Sequence, residues 1–287
     1  MVRGRQSLKK EKGMNLRLRI PLLVFSFFLS LEAKSADLQC FSGEEGRNVL
    51  LRYLLKECKR YFERRRREVK AIETRDQVLE RQKKLKRLWR KALGDFPQRS
   101  PLRAKTVSVL GRENYTIEKV LYESWPDHHV TANLYLPRKD SPPFPGVLVP
   151  CGHSHNGKAC EAYQRICISL ALHGFVVLCY DPIGQGERYQ TLDQNGKPLT
   201  GGTREHTLID IGARLVGRST AFYRIWDGIR SLDYLISRKE VDGKRIGCTG
   251  NSGGGTMTSY LMVTDPRIYA AAVSLCIPLK ETGRCVK

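Results

Sequence analysis

Arg245-Ile-Gly-Cys-Thr-Gly-Asn-Ser-Gly-Gly-Gly-Thr256 is the stretch on which the reading of this 287-residue chain turns. Arg245 to Thr249 reads as a short strand, Gly250-Asn251-Ser252-Gly253-Gly254 fits G-x-S-x-G, and Gly253 to Thr264 reads as a helix. Such a turn holds its serine in a strained conformation. Glycines two before and two after are required because strand and helix come too close there for a Cβ. The hydroxyl of Ser252 is thereby lifted to a helix N-terminus, where the Gly253 N–H and the helix dipole can face a developing oxyanion. The alternative, a glycine-rich turn with a helix-capping serine, is weaker in this strand–turn–helix context.

Working outward, Pro145-Gly-Val-Leu-Val-Pro150 reads as a strand and runs into Cys151-Gly-His-Ser154. The second oxyanion donor of an elbow site comes from such a loop, and Gly152 points to the backbone N–H of His153. A rival reading makes His153 and His155 a metal pair, but no third ligand is near them in the sequence. His128 and His129 read as loop or strand-edge residues. A helix from about Lys158 to His173, capped by Gly174, leads to the strand Phe175–Tyr180. Asp181 then opens a turn-rich segment and is expected at the mouth of the site, on the wrong strand for a catalytic acid. A helix from Ser219 to Arg238 carries the stripe Phe222, Ile225, Trp226, Ile229, Leu232 and Ile236, and Tyr269 to Cys276 is a buried strand. Tyr115–Tyr122 and Val130–Leu136 come earlier, in strand period. The alternation predicts an α/β fold: a mostly parallel sheet with helices on both faces, preceded by a meander.

The charge sits elsewhere. Of 50 Lys and Arg, 29 lie in residues 1–105 against 12 Asp and Glu, whereas residues 106–287 hold 21 against 17. Basicity confined to an extension argues against nucleic acid as a partner, because a binding module carries its positive face on the fold that does the work. Within that extension, Leu51, Leu54, Leu55, Cys58, Tyr61 and Phe62 recur at helical spacing, as do Val78, Leu85, Leu88, Trp89 and Ala92 after a capping box at Thr74-Arg-Asp-Gln77. Residues 14–36 have a basic start, an apolar run from Ile20 to Leu31 and small residues after it, the layout of a signal peptide cleaved after Ala33 or Ala36. That run is too short to span a bilayer, so export to the periplasm or medium is expected, with no permanent membrane anchor. The nine cysteines form no CxxC pair and no even, regularly spaced framework, and Cys179 and Cys248 lie in apolar runs, which argues against a disulfide scaffold or a cysteine zinc site.

Taken together, Pro150-Cys-Gly-His-Ser154, Tyr180-Asp-Pro-Ile-Gly-Gln-Gly-Glu187 and Gly250-Asn-Ser-Gly-Gly-Gly-Thr256 resemble the α/β-hydrolase superfamily, and within it exported bacterial acetyl xylan esterase-like and dienelactone hydrolase-like proteins. The resemblance covers roughly residues 45–276. It divides the chain into a signal-peptide region at 1–36, a basic helical extension at 37–100 and an α/β-hydrolase domain at 101–287. It implies an ester hydrolase acting on a small-molecule or polysaccharide ester such as acetyl xylan, without cofactor or metal, with Ser252 as nucleophile and the Gly253 and His153 amides as oxyanion donors. It also implies an acid after a seventh strand and a histidine after an eighth. The sequence shows neither after Cys276, so the chain is expected to be truncated and inactive as it stands, with His206 and Glu281 the nearest substitutes by residue type. A prolyl oligopeptidase-type peptidase and a non-catalytic carbohydrate-binding remnant are the alternatives.

Overall fold

The computed structural model describes residues 48–138 and 141–274, together with the backbone of 277–278 and 285–286. The signal-peptide reading and Glu281 lie outside the described residues. The chain divides into two units, Met1–Glu73 and Thr74–Lys287, so the segment 37–100 spans the division.

In the first unit, α1 (Val49–Lys70) forms as its apolar period predicts. None of its residues is buried, however: Leu51, Leu55 and Phe62, expected to pack, are all more than half exposed.

The second unit begins with α2 (Arg75–Leu93). The capping box forms as read, with Gln77 N–H donating to Thr74 Oγ1 and Thr74 N–H to Gln77 Oε1. Its stripe is corrected. Val78, Leu85 and Leu88 are exposed, and packing is confined to the last turns, where Leu93 is buried and Trp89 donates to Thr264 Oγ1 at 2.9 Å.

Seven strands follow: β1 (Lys105–Gly111), β2 (Tyr115–Trp125), β3 (His128–Pro137), β4 (Phe144–Pro150), β5 (Val176–Tyr180), β6 (Val241–Asn251) and β7 (Ala270–Ser274). They make one sheet in the order β1-β2-β3-β5-β4-β6-β7. The first four in that order pair antiparallel, and β5, β4, β6 and β7 pair parallel. The expected meander and parallel half are both present. The meander has an additional outer strand, β1, so Ala270–Ser274 is the seventh strand rather than the sixth, and it is exposed along its whole length rather than buried, because it is the last strand in the sheet order.

The faces divide residue by residue. On β5, Val176, Leu178 and Tyr180 pack under α5 (Thr220–Ser237) and α6 (Gly253–Thr264), against Ile225, Trp226, Leu232, Met257 and Leu261. Val177 and Cys179 face α3 (Glu161–Leu172), against Tyr163, Cys167 and Ala171. A strand buried on both faces needs such a continuous apolar run, and each large side chain so buried contributes about 1.5–3 kcal/mol. A further helix, α4 (Gly202–Leu215), precedes α5. Among the described residues no helix is long and apolar enough to cross a membrane. The parallel strands all end on one edge, and the loops there carry Cys151–Gly157, Asp181–Gly201 and Ser252.

Candidate active site

The turn between β6 and α6 is built as its glycines demand. Ser252 has φ 54° and ψ −119°, a region that costs a non-glycine residue on the order of 1–3 kcal/mol. A Cβ on Gly250 would stand 2.6 Å from the Gly254 carbonyl oxygen, and one on Gly254 would stand 2.2 Å from that of Pro150. β7 fixes the turn from the other side, Ser252 N–H donating to Ser274 O at 2.8 Å. Ser252 is exposed, and its hydroxyl makes no hydrogen bond among the described residues.

Facing the turn is the loop after β4. Tyr163 Oη accepts from Gly152 N–H at 2.5 Å, and Gln185 Nε2 donates to Gly152 O at 2.8 Å and to Ser154 O at 2.7 Å. The loop is thus gripped on both sides of His153, while the His153 and Gly253 N–H groups stay unpaired within the described residues. Tyr163 and Gln185 were not singled out in the sequence. A tyrosine in the first turn of a helix and a glutamine between two glycines carry no local signal of a distant carbonyl or amide.

His153 lies against the elbow: a Cβ on Gly253 would come 2.7 Å from its Nδ1. On its other side, His153 Nε2 is 3.4 Å from His206 Nδ1, and His206 Nε2 is 2.7 Å from the Ile183 carbonyl. A carbonyl only accepts, so Nε2 of His206 carries its proton and Nδ1 accepts from His153. Nδ1 of His153 is then an acceptor turned to the elbow. Burial, followed by the nearby Arg224 charge, pushes His206 down to about 4 and His153 below the usual imidazole value, which keeps both rings neutral. The structure therefore brings together Ser252, Gly253, His153 and His206. It does not bring His153 and His155 together as a metal pair, since His155 Nδ1 is 2.5 Å from Tyr189 Oη and no metal-ligand cluster occurs among the described residues.

Asp181 is placed differently from its expected position at the mouth. It is fully buried, with Lys158 N–H at 2.7 Å on Oδ1, and Lys158 Nζ at 2.5 Å and Thr131 Oγ1 at 2.7 Å on Oδ2. Gly157 and Gly186, both at positive φ, crowd its carboxylate where no side chain would fit. Burial alone would lower the Lys158 ammonium, but its partners Asp181 and Glu187 hold it above the usual lysine value. The carboxylate ties the loops under the site rather than lining it. In chemical terms the edge presents an unpaired hydroxyl, two unpaired N–H groups, a helix N-terminus and neutral imidazoles, an arrangement suited to a carbonyl that gains negative charge.

The sequence profile of the acetyl xylan esterase (AXE1) family matches residues 72–277. A Bacillus subtilis (strain 168) protein, YtaP, provisionally assigned as a hydrolase, is 30% identical over 209 residues, covering 69% of this chain and 63% of its own. Among solved structures, one from Bacteroides fragilis NCTC 9343, provisionally assigned as an acetyl xylan esterase, superposes with a TM-score of 0.58 at 20% identity over 68% of this chain and 53% of that one. Methylesterase BT1017 superposes with a TM-score of 0.58 at 26% identity over 72% of this chain and 44% of its own. The chain thus spans less than two thirds of the length of each of these relatives. The fold, the strand–turn–helix at Ser252 and the extent of the profile match agree, and the chain belongs to the acetyl xylan esterase family.

Proposed function

We propose that the protein is a carboxylic ester hydrolase that removes acyl groups from carbohydrate, acetylated xylan being the first substrate to test. Ser252 is the nucleophile, and the N–H groups of Gly253 and His153 receive the oxyanion. The observation that carries this reading is the elbow itself: a serine held at φ 54° between glycines that admit no Cβ, with two unpaired N–H groups beside it. Strain and unpaired donors of this kind are retained where they act on a ligand. Family membership supports the ester bond as the target.

The proton acceptor for Ser252 is the part this arrangement leaves weakest. All six histidines are described, and none hydrogen-bonds the Ser252 hydroxyl. With an unactivated hydroxyl, catalysis falls back on binding and oxyanion donors, which leave roughly 10³- to 10⁴-fold over water in serine hydrolases that have lost a triad member. Residues 1–287 are therefore expected to turn over p-nitrophenyl acetate and acetylated xylan well below 1 s⁻¹, under the ordinary enzyme range of about 1–10³ s⁻¹. Added imidazole, as an external base, raises the rate of the wild type above that of Ser252→Ala in the same buffer. Equal rates for the two proteins would remove Ser252 from the mechanism. Export belongs to the same proposal and rests on residues 14–36.

A further inference from the structure

Arg224 occupies the second turn of α5, and its guanidinium is unusual in this molecule. Its Nε and Nη2, the edge that engages a carboxylate with two parallel bonds, are buried and have no hydrogen-bond partner. Pro150 and Cys151 from the end of β4, Tyr180 and Pro182 around the end of β5, Asp227, and Met257 from the first turns of α6 close around it, and the space between them admits no water molecule. The one carboxylate in that shell is committed elsewhere. Asp227 Oδ2 takes Arg188 Nη1 at 2.8 Å, and Oδ1 takes Ser124 Oγ at 2.6 Å. Tyr180 Oη, in the same shell, is also unpartnered. No carboxylate bonds Arg224 directly among the described residues, and Asp227 acts on its charge only through space. Nη1 makes no hydrogen bond among the described residues and lies outside the buried set, so it is the guanidinium nitrogen left open to solvent.

Buried guanidinium donors left without a partner are costly, and a cation of this kind is retained where an anion completes it. Its location says where. The shell is the underside of the loop that carries His153 and of the helix that carries Gly253, and the Arg224 charge acts on both His153 and His206. Every other polar feature of the elbow, the two N–H groups and the α6 N-terminus, is positive as well. We propose that Arg224 is the anion-binding residue of this site and that its ligand carries a carboxylate of its own, as an O-acylated uronate does and a neutral acylated sugar does not. The inference rests on the elbow being the ligand site.

Calorimetric titration of the full chain with D-galacturonate, D-galactose and acetate tests it without any turnover being read, so a failure of the hydrolase reading shows only in the Ser252→Ala assay. The wild type is expected to bind galacturonate at least ~10-fold more tightly than galactose, the scale of one charged hydrogen bond, and Arg224→Gln to erase the preference. An unchanged preference in Arg224→Gln, or none in the wild type, would overturn the proposal. Acetate binding as tightly as galacturonate would show a product-carboxylate site and overturn the uronate assignment. Thermal unfolding separates binding from scaffolding: Arg224→Gln without ligand is expected to melt at or above the wild-type temperature, and a clear fall with binding intact would assign Arg224 a structural role. Should the variant not fold, the wild-type preference and its loss on competition with chloride decide the question.

Discussion

Asp181 and Ser252 stand at the ends of β5 and β6, two places apart in the parallel half of one sheet, and the fold treats them in opposite ways. The Asp181 carboxylate is fully buried and receives bonds from Thr131, from the Lys158 backbone and from the Lys158 ammonium. The Ser252 hydroxyl is exposed and receives none, on a backbone held in a region that side chains avoid. Around Asp181 polar groups are spent on one another and fix the loops. Around Ser252 the donors and the strain are left over, and behind the Cys151 loop two Arg224 guanidinium donors are unpaired. A protein keeps leftovers of this kind where a ligand uses them, and the contrast supports the proposed site at Ser252 more strongly than any single residue does.

The contrast breaks first, and by the largest amount, at Asp181. Asp181→Ala leaves the buried Lys158 ammonium with only Glu187, which is 68% exposed and holds it from the solvent side. Breaking a buried pair in this way costs about 3–5 kcal/mol, or roughly 6–20 °C in Tm for a unit of this size, read by calorimetry at pH 7. A loss under about 1 kcal/mol would mean that the cluster is solvated and that the two regions do not differ as described.

A smaller effect sharpens the other side. The folded pKa of His206, near 4, lies below the ordinary imidazole value, so the folded protein stays neutral there while the unfolded chain takes up a proton. The stability that depends on neutral His206 is complete above about pH 6.5 and is lost as pH falls toward 4. The other groups facing this ring have directions of their own. Glu205 on α4 pulls the pKa up, the Ile183 carbonyl does the same, and Arg224 on α5 and His153 push it down. His206→Gln is therefore expected to flatten the fall of Tm between pH 6.5 and 4 by up to one proton's worth of slope. An unchanged slope would place the imidazole in solvent rather than between His153 and Ile183.

Much of this was legible in the sequence where local chemistry decides. The elbow, the Gly152 loop, the capping box at Thr74 and the α5 stripe all follow from short-range sterics and period. What was missed depends on partners far along the chain. α4 escapes because its apolar residues Leu208, Ile211 and Leu215 face solvent, whereas its anchor is the fully buried Glu205, taking bonds from the Gln190 and Thr191 backbone. β1 escapes because only one of its seven residues is even partly buried. The α1 and α2 stripes promised packing that the described residues largely do not provide, since an amphipathic period reports a capacity to pack and not the presence of something to pack on. Arg224 could not be read at all, because a lone arginine between Tyr223 and Ile225 looks like a solvated helix position until the strands around it are known.

The central claim is that Ser252 is the acyl acceptor of an ester hydrolase site, and capture of the acyl group tests it most directly. The full chain, incubated with p-nitrophenyl acetate and quenched in acid, is digested and its peptides weighed. The account predicts one added acetyl group on the peptide carrying Ser252, retained because water attack also lacks a positioned base, and absent in Ser252→Ala. Acetylation confined to lysines or to another hydroxyl, with the Ser252 peptide unmodified, would contradict it.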